Sequence, residues 1–467
     1  MKCDVVIVGA GPGGSTAAKE CAERGLKTVF IERGRKPGEK NSSGCGLGPR
    51  MWRDFDIMKE LTPERCPSMR AGAAARNYFV NSEGVVAGYV MSRPTESVTY
   101  EPARSFITMN VYRSEFDPWI AQFAVEAGAQ LKTSTLAQGL LKEGGKVVGV
   151  IDEKGEKYQG FVIGADGAMS MVAQQSGLRE RWRQSQVTII PQYDFAVPPS
   201  KIDDIMGDEA LAVWWSATFP AAYQVFFHDG FHIGLGNWMT WWDKNPLYYL
   251  NKVLDVAYFQ RLARVLNAKP REFHAHLLPW QAAPHDTHTD NVILIGDAGG
   301  FACPLEAEGI YPAMVTGRAA AEVAAEALST GDSSAAFLDL FDAKWKLTSV
   351  GEEFQTGAEL ASIWRALPFS PRQTMSWFVP MIMEVLGGII DWSEPHARRV
   401  RQVASRLKHY LPSAVPFIVK QVVPLLSKIL GDKMDLLVNP QKLLASMPEL
   451  GEAIAAAFRE EGDRSAD

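Results

Sequence analysis

Three short glycine-rich segments, far apart in a chain of 467 residues, carry its clearest chemical pattern. The first is Gly9-Ala10-Gly11-Pro12-Gly13-Gly14, directly after the apolar run Val5-Val6-Ile7-Val8. The second is Gly164-Ala165-Asp166-Gly167, after Phe161-Val162-Ile163. The third is Gly296-Asp297-Ala298-Gly299-Gly300, after Val292-Ile293-Leu294-Ile295. A glycine turn between a buried strand and a helix offers free N–H groups and the positive end of the helix dipole, which suits a pyrophosphate. Gly9 permits the turn, Gly11 lets phosphates approach the backbone, and Gly14 lets the helix pack close to the sheet. Glu32 ends the next apolar run, Thr28-Val29-Phe30-Ile31. An acid about 20 residues past such glycines accepts hydrogen bonds from a ribose diol. Its charge also opposes a 2′-phosphate. A glycine turn without a nucleotide is the alternative for any one motif. The three together read as one site for a flavin dinucleotide, FAD.

Such turns need a parallel sheet to hold them. Short, continuously apolar runs are expected as central strands covered on both faces. A helix from about residue 15 to 24 follows the first turn. Residues 1–175 are read as the first part of a FAD-binding domain, with a substrate-side insertion at about 45–108, and residues 285–332 as its second part. Residues 176–284 form a substrate domain between them. There 212–215, 223–227 and 231–236 read as antiparallel strands, with Asp229-Gly230 as a hairpin turn. Trp214, Trp215, Trp238, Trp241 and Trp242 fall in one stretch. They fit either a large apolar cavity or a sheet packed on helices. His274 and His276 share one strand face, as a proton donor or as hydrogen-bonded structural side chains.

Residues 333–467 are expected to be helical. Apolar, proline-broken segments at 377–390 and 415–426 flank a basic stretch at 398–409. Both are too short to span a bilayer, which leaves a membrane-surface contact or a helical cap. The net charge of −6, with 46% hydrophobic and 22% charged residues, is that of a globular enzyme and offers no basic footprint for nucleic acid. Five cysteines without paired spacing argue against a disulfide framework or a metal site, and none follows Cys303 to complete an iron–sulfur set. No apolar signal segment precedes Cys3, so the protein is expected in the cytoplasm or on the cytoplasmic face of a membrane.

Over residues 1–330 the chain resembles the geranylgeranyl reductase superfamily of FAD-dependent oxidoreductases. More broadly it is similar to flavoproteins of the para-hydroxybenzoate-hydroxylase and glutathione-reductase type. Pro37-Gly38-Glu39-Lys40-Asn41-Ser42-Ser43-Gly44-Cys45-Gly46 resembles the superfamily's loop after the second strand. Arg113-Ser114-Glu115-Phe116-Asp117 resembles its Arg-x-x-Phe-Asp helix. Pro304-Leu305-Glu306-Ala307-Glu308-Gly309-Ile310 is similar to its Pro-Leu-x-Gly-Glu-Gly-Ile loop, with Ala307 where glycine is common. Glycine often holds such a place for a positive φ. Phe219-Pro220, then Tyr223, is similar to a motif lining the substrate cavity.

The resemblance implies an α/β + α+β fold: a Rossmann-like FAD-binding domain, an antiparallel-sheet substrate domain and a helical C-terminal region. It places Gly9, Gly11, Pro12, Gly13, Gly14, Glu32, Arg33 and Gly44 at the cofactor, with Arg113 near the pyrophosphate or ribityl chain. Asp166 and Gly167 look like the motif that contacts both FAD and a pyridine nucleotide. Gly296 and Asp297 look like the ribityl-binding pair, while a helix N-cap is a second role for Asp297. Gly309 and Ile310 open a helix expected to aim its positive end at the flavin N1–C2=O edge. Cys45 and Tyr223 are the candidate catalytic proton donors, and Trp214, Phe219, Trp238 and Leu305 the candidate pocket lining.

The activity implied is hydride transfer between flavin N5 and a carbon of an apolar substrate, with reduction of a C=C bond. Lys40-Asn41 and the segments 192–204 and 231–236 also resemble FixC-like dehydrogenases, which exchange electrons with quinone or an electron-transfer flavoprotein. A flavin monooxygenase acting on an aromatic substrate is a third reading. No second nucleotide fingerprint is present. Reductant is therefore expected from a partner instead of bound NADPH; the candidate redox partners are an electron-transfer flavoprotein, ferredoxin or NAD(P)H.

Overall fold

Strands that run parallel and in register are what bring distant turns to one edge. The computed structural model describes residues 1–39, 44–80, 86–92, 106, 108–216, 219–238, 242–280, 284, 286–304 and 307–355. The nucleotide-binding sheet comprises β1 (Lys2–Val8), β2 (Thr28–Ile31), β8 (Gln130–Lys132), β9 (Ala137–Glu143), β10 (Lys146–Asp152), β11 (Lys157–Gly164), β18 (His288–Thr289) and β19 (Val292–Leu294). Its order is β18-β19-β11-β1-β2-β8, with β10 and β9 added beside β11. The pairings β19·β11, β11·β1, β1·β2 and β2·β8 are all parallel.

Continuous apolarity in β1 has a direct structural cause. Val5 and Ile7 enter one core, Val6 and Val8 the other, and all four are buried. On the first face lie α1 (Pro12–Glu23), α3 (Arg113–Glu126), α9 (Ile310–Thr330) and α10 (Ala335–Lys346). On the other lie β9, β10 and α4 (Met171–Ser176). Between α3 and the substrate sheet, β3 (Gly44–Leu47), β4 (Arg70–Gly72) and β7 (Thr108–Tyr112) make a small sheet of order β3-β7-β4.

The substrate sheet contains β5 (Ala74–Val80), β6 (Val86–Ser92), β12 (Val187–Ala196), β13 (Glu209–Ser216), β14 (Ala222–Phe227), β15 (Gly230–Leu235), β16 (Asn237–Trp238) and β17 (Lys269–Pro279). Its order is β16-β12-β15-β14-β13-β5-β6, with β17 along β12. All pairs are antiparallel except β13·β5. Helices α5 (Pro199–Met206), α6 (Pro246–Leu254) and α7 (Ala257–Val265) cover one face. The α/β + α+β architecture expected from the sequence is the one found.

One turn differs from expectation. The hairpin turn is His228-Asp229, because Phe227 pairs with Gly230. Gly230 is instead a strand residue at a close approach: a Cβ there would lie 2.2 Å from the Phe195 carbonyl oxygen. Helix α10 sends Leu338, Phe341 and Trp345 into the same core as Phe301. The first compact unit runs through Met1–Ala361, with 369–371. The apolar and basic segments singled out between 377 and 426 lie outside the described residues. Among the described residues no helix is long and apolar enough to cross a membrane.

Helices α1 and α9 pack almost backbone to backbone. A Cβ on Gly317 would meet the Gly13 carbonyl oxygen at 2.5 Å, and one on Gly13 would meet the Ala313 oxygen at 2.9 Å. Gly317→Ala is therefore expected to pry the pair apart and cost about 1–3 kcal/mol, as overpacked cores do. Gly48→Ala, whose new methyl would have only Arg50 within ordinary contact at 3.9 Å, is the matched control. Urea unfolding of both variants checks this, and equal midpoints would refute it.

Candidate active site

The register of the central strands assembles the three glycine turns. Gly164 pairs with Val8 on one side and Leu294 on the other, so each strand ends at the same level. The chain then turns in step. Ala165 N–H donates to the Val8 oxygen (2.8 Å), Ile295 N–H to the Gly164 oxygen (2.9 Å) and Gly9 N–H to the Ile31 oxygen (2.8 Å). Gly9 has φ +101°, and a Cβ there would sit 2.3 Å from the Ala165 oxygen. Only glycine allows this contact.

The residues at the first turn fit a dinucleotide. Gly11 is the N-cap of α1, with Pro12 next and no side-chain hydrogen bond capping the helix. Its N-terminus is thus available to phosphate oxygens. The Arg113 Nη2 lies 3.6 Å from where a Gly11 Cβ would be, so a guanidinium borders the open side of the turn. Asp117, wholly buried, fixes that guanidinium through two bonds of 2.5 and 2.7 Å. The Glu32 carboxylate accepts from Ala10 N–H (3.2 Å) and Gly34 N–H (2.7 Å), which ties the end of β2 to the glycine turn. Arg33 is exposed beside it. Gly38, at φ +79°, presses on the Arg113 carbonyl, joining the second-strand loop to the start of α3.

Asp166 is half-buried and held by local hydrogen bonds. It accepts from the Ser170 hydroxyl (2.6 Å) and Val172 N–H (3.1 Å), and burial raises its carboxyl above the ordinary value. Gly167 follows at φ +77°. Arg179, which no motif marked, donates to the Ala298 oxygen (2.6 Å) and lies 3.5 Å over the Trp182 ring. Burial pulls it down to about 10, against the charge of Asp166. It links the second motif to the third.

In the third motif Gly296 (φ +53°) opens α8 (Gly296–Gly299). The N-cap is Ile295, so the capping role considered for Asp297 does not hold. Asp297 directs Oδ1 toward Gly309 and Oδ2 toward His276 Nε2, 3.7 Å away. Gly309 and Ile310 do begin α9, but its positive end is not bare. Glu308 accepts from the N–H groups of Ile310 (2.9 Å) and Tyr311 (2.8 Å), and Pro312 has none to offer. Arg50, from α2 (Arg50–Asp54), donates to Glu308 (3.0 Å) and to Glu353. The simple dipole expectation for α9 is corrected accordingly. Ala307 has φ +58°, the conformation that glycine serves in the similar loop.

The substrate sheet presents two unlike faces. Trp214 is fully buried on the helix-covered face, bonded to Gln224 (3.1 Å), and Phe219 is buried in the same cluster. Both were expected in the pocket. Strand alternation puts Trp214 on the side away from Tyr223. The opposite face carries Tyr223, Gln192, Asp194, His232, His274 and His276. Two contacts turn it toward the nucleotide-binding side: His276 beside Asp297, and Tyr112 stacked on Phe227 with centroids 4.0 Å apart. Tyr223 donates to Gln192 Oε1 (3.2 Å), and burial raises its hydroxyl well above the ordinary value. Cys45 lies in β3 opposite Val111, Gly44 opposite Tyr112, and Trp238 in β16 opposite Thr188; the side chains of Cys45 and Trp238, and Leu305 as a whole, lie outside the described residues.

Residues 2–347 match the FAD binding domain family. The chain belongs to that family. FAD is its cofactor, and its chemistry is that of a FAD-dependent oxidoreductase. The chain is similar to digeranylgeranylglycerophospholipid reductase 2 of Methanothermobacter thermautotrophicus. The two are 29% identical over 377 residues, 78% of this chain and 88% of that protein. Its fold is similar to a geranylgeranyl bacteriochlorophyll reductase-like protein of Thermoplasma acidophilum. There the TM-score is 0.70 at 20% identity, over 92% of this chain and 99% of that one. It is also similar to the flavin-dependent brominase Bmp2, with TM-score 0.59 at 20% identity, over 88% and 100%.

Ala307 gives this site a direct test. An L-residue in the left-handed region costs about 1–2 kcal/mol, and glycine gives back about 0.5–1 kcal/mol through extra freedom in the unfolded chain. Ala307→Gly is expected to stabilise the protein by a net ~0.5–1 kcal/mol. Thermal unfolding of the FAD-loaded protein measures it, and a loss of stability would contradict the strain assigned here.

Proposed function

We propose that the protein reduces C=C bonds of a long, apolar, isoprenoid-type substrate. The observation that carries this reading is the similarity to a digeranylgeranylglycerophospholipid reductase over most of both chains. The sheet geometry supports it: one aromatic-backed face, bearing the half-buried phenol of Tyr223, is turned to the nucleotide-binding turns.

The residues take distinct tasks in this reading. The α1 N-terminus, Gly11 and Arg113 hold the pyrophosphate, Glu32 a ribose, and Asp297 the ribityl chain. When bound, FAD would supply the two-electron reducing chemistry. Tyr112, Val225 and Phe227 form an apolar wall that keeps water from the reacting carbon. Tyr223 supplies a proton from its Oη, and burial keeps that proton on the oxygen until it is needed. Cys45, on β3, is the second candidate donor.

Anaerobic stopped-flow mixing tests the function. Enzyme reduced with dithionite is expected to be reoxidised by a geranylgeranyl lipid. Reoxidation by quinone or electron-transfer flavoprotein alone would favour the FixC-like reading, and oxygen-dependent hydroxylation of an aromatic substrate a monooxygenase. The same instrument identifies the donor, as whichever of electron-transfer flavoprotein, ferredoxin or NAD(P)H bleaches the flavin. For a lipid substrate we also propose a peripheral seat on the cytoplasmic membrane face. Flotation with anionic liposomes checks this, and a protein that stays wholly in the soluble fraction rules it out.

A further inference from the structure

The face of the substrate sheet that carries Tyr223 holds a row of polar side chains, exposed at one end and buried toward the other, that apolar binding does not require. Strand pairing sets Glu272 and His274 of β17 beside Asp194 and Gln192 of β12, then His232 of β15 and Tyr223 of β14. Exposure falls along the row. The side chain of Glu272 is 63% exposed, His274 19% and Asp194 9%, and His232 is 1% exposed. His274 Nε2 lies 3.4 Å from Glu272 Oε2 and 3.5 Å from Asp194 Oδ2. Asp194 pairs directly across from His232, and the His232 ring meets the Tyr223 ring edge-on with centroids 5.5 Å apart. Asp194 Oδ1, His232 Nδ1 and Gln192 Nε2 are buried without a hydrogen-bond partner among the described residues. Side chains kept only for structure normally satisfy such atoms.

We propose that Glu272, His274, Asp194 and His232 form a proton relay from the solvent edge of β17 to the Tyr223 hydroxyl. The proposal rests on the reductase reading above. Saturation of one C=C bond adds a hydride, supplied by the reduced cofactor, and a proton. The Tyr223 O–H bond breaks as the new C–H bond forms, leaving a phenolate. A proton passes from the His274 imidazolium through Asp194 and His232 to that phenolate, and solvent recharges His274 by way of Glu272. No electrons beyond those of the hydride are moved.

The electrostatics suit the direction of flow. The hydrogen bond to Asp194 raises His274 above its ordinary value, which favours its charged form. Burial pulls His232 down to about 4, so it stays neutral and can pass a proton without storing one. The groups facing His274 are Glu272, Arg271 and His276 on its own strand. From the packed elements come Asp194, His232, Tyr223, Tyr112, the hairpin's Asp229, and Asp297 beyond His276.

Two measurements on the FAD-loaded protein test the relay. Histidine-selective NMR titration reads His274 directly. Its pKa is expected above 6.5 in the parent protein and about one unit lower in Asp194→Asn, since loss of a nearby opposite charge has that effect. Single-turnover reoxidation by the alkenyl lipid reads the delivery. The parent rate is expected to fall as pH rises through the His274 pKa. Asp194→Asn and His274→Gln should slow it at least tenfold, with partial rescue in Asp194→Glu. A normal flavin spectrum shows that each variant is folded. An unmoved His274 titration, or an unchanged rate and pH profile in both variants, overturns the relay alone. If no alkenyl lipid reoxidises the parent enzyme, the reductase reading fails and the relay fails with it, whatever the titration shows.

Discussion

The site depends on a steric contact that leaves no room for a methyl group. Where β1 ends, Gly9 lets the Ala165 carbonyl oxygen occupy the place of a Cβ, 2.3 Å from its ideal position. That approach lets the first and second turns lie side by side at the end of two parallel strands. Gly164 extends the arrangement to β19 through its pairing with Leu294. Everything after this follows from alignment: the open N-terminus of α1, the guanidinium of Arg113 at its edge, and Asp297 one turn further along. The sheet can hold these turns rigidly because β1 is sealed on both faces by separate apolar cores. The Gly13–Gly317 contact completes the constraint by bringing α9, and so the Glu308 loop, close against α1.

In the substrate sheet the same periodicity builds the core and the chemistry. Alternation sends Phe195, Phe231, Ile233 and Trp214 to the helices, and Asp194, His232 and Tyr223 to the other face. A one-residue slip would exchange the two sets. The register is held by the length of β12, which pairs with β15 and β16 on one edge and β17 on the other. The irregularity between Asp194 and Phe195 in the β12·β17 pairing lies beside the polar row. Bulges of this kind re-aim side chains. The site chemistry is therefore a property of strand parity more than of any loop.

What the sequence made legible was whatever depends on local pattern. Continuous apolar runs marked β1, β2 and β19, and glycine spacing marked the turns that follow them. Ala307 stands where the similar loop commonly has glycine, which left its backbone shape open, and its φ of +58° is the positive value that glycine serves. What stayed hidden depends on pairing across the chain. Trp214 and Tyr223 look alike as aromatic strand residues, and only the β13·β14 register separates their faces. Gly230 read as a turn glycine, yet its role is to admit the Phe195 carbonyl from a neighbouring strand. Arg179 carries no motif, because its partners are a carbonyl and a ring brought near by the fold. The relay residues were hidden for the same reason. His274 was visible, but nothing in its neighbourhood in sequence names Asp194, 80 positions earlier in the numbering.

The charge pattern around α9 limits what that helix can contribute. A bare N-terminus carries roughly half a positive charge. Here the Glu308 carboxylate sits on its first N–H groups, and Arg50 is shared between Glu308 and Glu353. Two carboxylates against one guanidinium and a half charge leave the cluster close to neutral or slightly negative. Burial also raises the Glu308 carboxyl, so its charge is held at a cost that Arg50 and the two N–H groups offset. A ligand with negative charge near this end must therefore find its compensation elsewhere. The described candidates are the uncapped N-terminus of α1 with Arg113 at its edge, and Arg179 between the second and third turns. Positive charge at the glycine turns thus comes from the uncapped N-terminus of α1 and from guanidinium groups, while α9 supplies shape and packing.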